Sequence, residues 1–199
     1  MGFEEVQLNI ENDLSETKSV LWADIDNDGD QDFLITNRLA SNKLWLNDGN
    51  MMFTDVTSTC GISTSINSRS YGASFGDYDN DGFLDLYICN YHTAVINIQN
   101  ELYHNNGDGT FTDVTLSSGV GNGLQQTFQS TWIDIDQDGL LDLHIVNDRL
   151  AMLNAFYHNN GDGTFTDMAT AWNVALGIYA MNSCFGDYDR DGDMDLYVT

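Results

Sequence analysis

Apolar residues alternate with polar or small ones over short stretches of the chain, as at Tyr71, Ala73 and Phe75. Alternation with a period of two residues is typical of a β-strand that buries one face. Clusters of Asp, Asn and Gly separate these stretches and mark turns. Between residues 69 and 115 the pattern predicts four short strands, near 70–76, 85–90, 101–105 and 110–115. The pattern gives little support to helices.

The strand pattern recurs as an internal repeat, and a fixed period determines the architecture. Segments 22–37, 75–90, 132–147 and 185–199 align without gaps, and their first aspartates are separated by 53, 57 and 53 residues. A second block follows in each complete unit, as in LYHNNGDGTFTDVT at 102–115. Four short antiparallel strands per unit are typical of a β-propeller blade. The sequence therefore predicts an all-β propeller.

The repeats divide the chain into parts of a single propeller over residues 1–199. We expect the last strand of a preceding blade at 3–8, repeat 1 at 18–57, repeat 2 at 69–115, repeat 3 at 127–169 and the start of repeat 4 at 178–199. A closed ring of four blades would lack one strand of its fourth blade. A fragment of a larger propeller is therefore the favoured interpretation, with the four-bladed ring as the alternative.

The chain is strongly acidic, with 31 Asp and Glu against 6 Lys and Arg and a formal net charge of −25. Nucleic acids and anionic lipids both attract clustered cations, so neither is an expected partner. The 42% hydrophobic residues are enough to build a core. No apolar run approaches the roughly 18 residues of a membrane span, so direct membrane insertion is not expected.

Four loops with the pattern D-x-D-x-D-G-x-x-D contain 18 of the 31 acidic residues. Aspartates at loop positions 1, 3, 5 and 9 and the backbone carbonyl of position 7 can converge on one point if the chain turns sharply at the glycine. Hard oxygen ligands in this number select Ca²⁺. We therefore predict up to four Ca²⁺ ions. The predicted ligands are Asp24, Asp26, Asp28, Asp30 (carbonyl) and Asp32; Asp77, Asp79, Asp81, Phe83 (carbonyl) and Asp85; Asp134, Asp136, Asp138, Leu140 (carbonyl) and Asp142; and Asp187, Asp189, Asp191, Asp193 (carbonyl) and Asp195.

Two alternatives to calcium loops are weaker. An EF-hand begins in the same way but needs a bidentate Glu at position 12, where this chain has Ile35, Ile88, Ile145 and Val198. Asp and Gly are also common in plain hairpin turns. However, four aspartates in each of four turns would repel one another without a cation. The NNGDG segments at 105–109 and 159–163 are, by contrast, predicted to be hairpin turns between strands.

The cysteines and histidines suggest no catalytic set. Cys60, Cys89 and Cys184 are odd in number and irregularly spaced, which predicts buried free thiols instead of disulfides or a zinc site. His104 and His158 occupy the same position in two repeats, which indicates a structural role. The remaining histidines, His92 and His144, have no nearby Ser or Cys in a nucleophile motif. The chain is not expected to be an enzyme.

The aspartate loops, flanked by FG and DL, resemble FG-GAP and VCBS repeats, which form the blades of integrin-α-like propellers. The block LYHNNGDGTFTDVT resembles the subgroup found in cartilage acidic proteins and in proteins with an ASPIC/UnbV domain. The resemblance implies calcium in the loop between the first and second strands of each blade, and commonly seven blades. The Gly-Ala-Pro of integrin repeats is absent, and Asn37, Asn90 and Asn147 stand near its place.

Up-and-down connectivity places the loops between repeats at the end of the blades opposite the aspartate loops. Loops on a rigid scaffold commonly carry binding residues, so an unidentified protein or carbohydrate partner is expected there. The candidate contacts are Arg38, Arg69, Tyr91, His92, Arg149 and Trp172. The simpler interpretation, which we favour, is that these side chains have ordinary packing and solubilising roles.

These features together predict a calcium-binding module for adhesion or protein interaction. An extracellular, cell-surface or periplasmic location is expected, because calcium concentrations there keep weak sites filled. The alternative is an accessory or scaffold domain of a secreted enzyme that acts on polysaccharide or another extracellular polymer. A purely structural spacer is a third possibility.

Overall fold

A computed structural model describes residue 10 and residues 16–50 and 52–199, and within these residues it confirms the all-β architecture. Blade 1 contains β1 (Glu16–Ala23), β2 (Asp32–Arg38), β3 (Lys43–Asn47) and β4 (Phe53–Asp55). Blade 2 contains β5 (Ser70–Gly76), β6 (Asp85–Asn90), β7 (Glu101–Asn105) and β8 (Phe111–Asp113). Blade 3 contains β9 (Thr127–Ile133), β10 (Asp142–Asn147), β11 (Ala155–Asn159) and β12 (Phe165–Asp167). A two-stranded sheet follows, with β13 (Ser183–Gly186) and β14 (Asp195–Val198).

Each sheet is antiparallel, and its strands lie in chain order, which is the up-and-down arrangement of a propeller blade. The strands predicted within 69–115 are confirmed, except that the fourth ends at Asp113. A one-turn helix, α1 (Thr115–Ser118), follows it and was not predicted. The Asp113 carboxylate accepts a hydrogen bond from the Thr115 N–H at 2.9 Å and so turns the chain into this helix. The strand predicted at 3–8 lies outside the described residues.

Neighbouring blades pack through their first strands. Strand β5 contacts β1 and β2, β9 contacts β5 and β6, and β13 contacts β9. Strands β5 and β9 approach closely at Gly72, where an added Cβ would collide with the carbonyl oxygen of Phe128. A glycine is required there because any side chain would separate blades 2 and 3.

Two apolar clusters fill the spaces between the blades. The first joins blades 1 and 2, and the second joins blades 2 and 3. Strand β6 serves both, because Leu86 and Ile88 point into the first cluster while Tyr87 and Cys89 point into the second. All four side chains are fully buried. Complete burial of a leucine side chain contributes about 2 kcal/mol, so the central strand stabilises two interfaces at once.

The three cysteines are free, but they differ in solvent exposure. Cys60 and Cys89 are buried, as predicted, and burial raises the pKa of the Cys89 thiol to about 12. The prediction is wrong for Cys184, which is exposed. Cys184 lies on β13, in the two-stranded sheet, where the described residues do not cover its side chain.

Candidate metal centres

The chain wraps around the first aspartate of every D-x-D-x-D-G-x-x-D loop. In loop 1 the Asp24 carboxylate accepts hydrogen bonds from the N–H groups of Asp28 and Gly29, at 3.1 and 3.0 Å. The corresponding bonds, at 3.0–3.2 Å, are accepted by Asp77, Asp134 and Asp187. All four loops therefore have one local geometry.

Two residues with positive φ produce the sharp turn in each loop. The glycine at position 6 has φ between 90° and 98° in all four loops, a conformation that L side chains rarely adopt. Position 4 is left-handed as well, with φ values of 59–66° at Asn27, Asn80, Gln137 and Arg190. Asn tolerates this region because its short side chain can hydrogen-bond locally, whereas Gln and Arg pay about 1 kcal/mol.

In loops 1, 2 and 3 the aspartate at position 9 is buried where the second strand of the blade begins. Asp85 is completely buried and accepts hydrogen bonds from the Tyr78 N–H at 3.1 Å and the Asn105 N–H at 2.8 Å. Burial raises its pKa well above the ordinary value, and the pKa values of Asp32 and Asp142 are raised for the same reason. A nearby cation would favour the charged form of these carboxylates.

The carboxylates of loops 1, 2 and 3 converge. Single oxygens from Asp77, Asp79 and Asp81 lie within 4.8 Å of one another. Oxygens within the same distance come from Asp134, Asp136 and Asp138 in loop 3 and from Asp24, Asp26 and Asp32 in loop 1. Oxygen-only sets of this kind suit Ca²⁺, which accepts six to eight oxygen ligands in flexible geometry. The donors present fit the predicted ion.

In loops 1, 2 and 3 the side chain at position 7 packs on the turn between the third and fourth strands. A Cβ added to Gly107 would lie 2.7 Å from the ring of Phe83, and one added to Gly161 would lie 3.2 Å from Leu140. Asp30 approaches Gly49 in the same way. These contacts explain the glycine of each such turn and leave the backbone carbonyl as the group that position 7 can offer to a metal.

Two histidines lie over the aspartate loops, which the sequence did not reveal. His104 Nδ1 is 3.2 Å from Asp79 Oδ2 and 3.3 Å from Asp85 Oδ1. In blade 3, His158 Nδ1 is 3.0 Å from Asp142 Oδ1. The recurrence of His immediately before the NNGDG turn, with Leu46 in its place in repeat 1, was the available signal.

Side-chain amides connect each aspartate loop to the next blade. Asn27 Nδ2 donates to the Gly82 carbonyl and Asn80 Nδ2 to the Gly139 carbonyl, both at 2.9 Å. From the turn of blade 2, Asn105 Nδ2 also reaches back to the Ile25 carbonyl at 2.8 Å. We call the four loops and the adjoining turns the aspartate end of the blades.

The opposite end of the blades, which we call the asparagine end, is built from neutral amides. Its central residues are buried asparagines at the ends of the second strands: Asn90 and Asn147 are the last residues of β6 and β10, and Asn37 is the last but one of β2. Asn90 Oδ1 accepts the Ser70 hydroxyl at 2.7 Å, and its Nδ2 donates to the Gln99 carbonyl at 2.8 Å. Asn100 Nδ2 then donates to Thr127 Oγ1 of blade 3 at 3.0 Å, so this end also connects the blades.

The structure brings together only some of the predicted partner contacts. Arg149 Nη2 donates to the Tyr91 hydroxyl at 3.1 Å, and the Arg69 guanidinium lies 5.7 Å from the centre of the Tyr91 ring. Arg38 pairs with Glu16 at 2.8 Å.

The other two predicted contact residues are His92 and Trp172. The backbone N–H of His92 donates to the Gln125 carbonyl, a bond that involves no side-chain atom of His92. Trp172 packs against Phe156 and His158, with ring centres 5.0 and 5.9 Å apart. These contacts support the packing interpretation, and the partner-binding assignment stays a prediction.

The four-stranded antiparallel sheets, one per sequence repeat, place the chain in the class of β-propeller proteins. The model of the FG-GAP-like repeat matches residues 12–88, 90–145 and 134–198, so the chain belongs to this family. It is also 26% identical to cartilage acidic protein 1 of Homo sapiens and of Xenopus tropicalis, over 153 residues in each case. These matches cover 76% of this chain and 22% of each relative.

The chain therefore spans about a fifth of the length of the curated relatives it matches. FG-GAP-like repeats suggest an adhesion or interaction module as the type of protein. No helix in the described part of the chain has the length and apolar character needed to cross a membrane.

Proposed function

We propose that this chain is a calcium-binding propeller module that serves adhesion or protein interaction outside the cell and has no catalytic activity. The observation that carries the proposal is the fourfold recurrence of one loop geometry, with inward-turned carboxylates and a glycine at the same position. Membership of the FG-GAP-like repeat family supports the module type. Each loop would hold one Ca²⁺ through the aspartates at positions 1, 3, 5 and 9 and the carbonyl of position 7.

The role proposed for calcium is structural. In loop 2 a bound ion would offset the repulsion among Asp77, Asp79 and Asp81 and the cost of burying the charge of Asp85. Because Asn80 bridges from loop 2 to the backbone of loop 3, ordering one loop would also support the next. The blades would then present their opposite end as a rigid surface.

A count of bound ions tests the calcium proposal. The wild-type chain should retain four Ca²⁺ after dialysis against calcium-containing buffer, measured by atomic emission. Asp79→Ala should retain three. Asp108→Ala, which removes an exposed aspartate from the turn of the same blade, should retain four. Absence of calcium from the wild type, or four ions in Asp79→Ala, would contradict the ligand assignment.

The partner is proposed to be a protein or carbohydrate that meets the asparagine end. Arg149 supports this placement, because its side chain is 50% exposed and lies over the exposed ring of Tyr179, at 5.7 Å from the ring centre. Arrays of glycans and of matrix proteins, probed with wild type and Arg149→Ala, test the proposal. Binding that Arg149→Ala weakens would support it, and equal binding by both chains would contradict this surface.

A further inference from the structure

The aspartate loops are not equivalent once the third strand of each blade is considered. Blades 2 and 3 place a histidine, His104 or His158, above the loop, whereas blade 1 has Leu46 at the same position. Each imidazole forms a set with two carboxylates, those at loop positions 3 and 9. In each set the three potential ligand atoms lie within 4.8 Å of one another. Loops 2 and 3 therefore each lie beside an imidazole nitrogen, a type of ligand that Ca²⁺ does not require.

The distances in blade 2 fit a small divalent ion. His104 Nδ1 lies 3.2 Å from Asp79 Oδ2 and 3.3 Å from Asp85 Oδ1. In tetrahedral geometry, a zinc ion about 2.0–2.2 Å from each ligand atom would place those atoms about 3.3–3.6 Å apart, close to the distances in blade 2. In blade 3, His158 Nδ1 lies 3.0 Å from Asp142 Oδ1 and 3.6 Å from Asp136 Oδ2. The same three residue types therefore meet in two blades, although the shorter contact in blade 3, between His158 Nδ1 and Asp142 Oδ1, is a hydrogen bond.

The surroundings of His104 also suit a metal ligand. Its Nδ1 is buried and makes no hydrogen bond to any described residue, although it points toward two carboxylates. Its Nε2 lies 4.0 Å from Asp81 Oδ2. A ligating imidazole commonly directs its second N–H toward a carboxylate, which fixes the ring. The position 9 carboxylate, Asp85, is held in turn by two backbone N–H groups.

We propose that Asp79, Asp85 and His104, and likewise Asp136, Asp142 and His158, each bind a divalent transition metal ion of the Zn²⁺ type. Imidazole nitrogen favours such ions, whereas Ca²⁺ prefers oxygen. The two sites go beyond the proposed calcium sites, with which they share carboxylates, and loop 1 lacks the site because Leu46 offers no donor. The aspartate loops would thus bind Ca²⁺, while the two histidine-containing sets in repeats 2 and 3 would prefer an ion of the Zn²⁺ type.

Zinc stoichiometry tests this proposal, measured by equilibrium dialysis of calcium-free protein. All chains carry Cys184→Ser, because the exposed thiol would bind zinc by itself. The reference chain should bind two Zn²⁺. His104→Leu and His158→Leu, which copy the residue of repeat 1, should each bind one, with at least about a tenfold loss of affinity at the altered site. The double variant should bind none.

Leu46→His is the matched gain-of-site variant. It should bind a third Zn²⁺, because it places an imidazole over Asp26 and Asp32. Co²⁺ in place of Zn²⁺ should give visible absorption bands that lose half their intensity with each His→Leu change. Circular dichroism confirms that every variant is folded. Ca²⁺ binding by the double variant, measured without zinc, separates failure of this proposal from failure of the calcium sites.

Three outcomes would overturn the proposal. The reference chain could bind no Zn²⁺. The double variant could bind as much as the reference chain, which would assign zinc to the carboxylates alone. Leu46→His could bind only two ions, which would show that the imidazole is not what distinguishes the blades.

Discussion

The two ends of the blades connect neighbouring repeats by opposite chemistry. At the asparagine end a buried amide such as Asn90 has both of its polar atoms bonded within the protein. At the aspartate end the buried group is a carboxylate such as Asp85, which accepts two hydrogen bonds but shares its loop with other carboxylates. A neutral amide can satisfy its partners with no added ion, whereas clustered charges of one sign need a counter-charge.

With the proposed Ca²⁺ bound, one fold would hold its blades together by a metal-independent asparagine end and a metal-dependent aspartate end. Both ends contain bonds from one blade to the next, such as Asn100 to Thr127 and Asn80 to Gly139. The two ends should therefore respond separately to changes in metal, sequence and pH.

Removal of calcium should have the largest effect, and it should act on the aspartate end alone. An ion present at 100 times its Kd stabilises the folded state by about 2.7 kcal/mol per site, so the Tm should fall steeply in EDTA. Hydrogen exchange should accelerate at the Gly29 and Gly82 amides, which depend on the loop carboxylates. The amides of Asn90 and Asn147 should stay protected. Equal acceleration at both ends would contradict the comparison.

Asn90→Ala should have the next largest effect, this time at the asparagine end. The substitution leaves the Ser70 hydroxyl and the Gln99 carbonyl without their partner, which should cost about 3 kcal/mol of unfolding free energy. The cost, measured by urea denaturation, should be the same with and without calcium. Asn97→Ala, at an exposed position, is the control and should change little. A cost that disappears in EDTA would show that the two ends are coupled.

The bridges between aspartate loops should contribute less. Asn80→Gly keeps the left-handed conformation and removes the 2.9 Å bond to Gly139, so it should cost about 1 kcal/mol or less. Gln137→Gly removes a longer bond, 3.4 Å to Gly192, and relieves an unfavourable φ of 61°. It should therefore be neutral or stabilising. Thermal melts of both variants measure the difference, and equal destabilisation by both would contradict the role of the bridge.

Glu101→Gln should have the smallest effect and concerns the asparagine end. Glu101 Oε2 accepts a bond from Asn90 Nδ2 at 3.2 Å, and burial raises the pKa of Glu101 above its ordinary value. A raised pKa means that the stabilising contribution is present at low pH and is lost as the pH rises through the folded-state value. Glu101→Gln should thus be more stable than wild type at pH 7, by on the order of 1 kcal/mol.

Below about pH 4.5 this advantage should vanish, because the carboxyl group is then protonated in both the folded and the unfolded state. Denaturation of the two chains across this pH range provides the measurement. A stability difference that does not change with pH would show that the charge of Glu101 has no part in it.

Much of the fold could be predicted because its determinants are local. The alternation around Tyr71 and Phe75 indicated β5, and the glycine at position 6 indicated the turn before β6. The helix at Thr115–Ser118 was missed because four residues carry no periodicity. The packing of Trp172 could not be predicted for another reason. Its contacts with Phe156 and His158 join residues that only the folding of blade 3 brings together.

Spacing along the chain specifies turns and strand faces, so the repeat, the β-strands, the family resemblance and the aspartates of every loop could be recognised from the sequence. The contacts across blades and between strands depend instead on the tertiary structure. It placed His104 over Asp79 and Asp85, joined Asn80 to the Gly139 carbonyl, and left Cys184 exposed. The physical reason is that a metal site or a buried amide depends on distances between groups far apart in the chain, which only packing establishes.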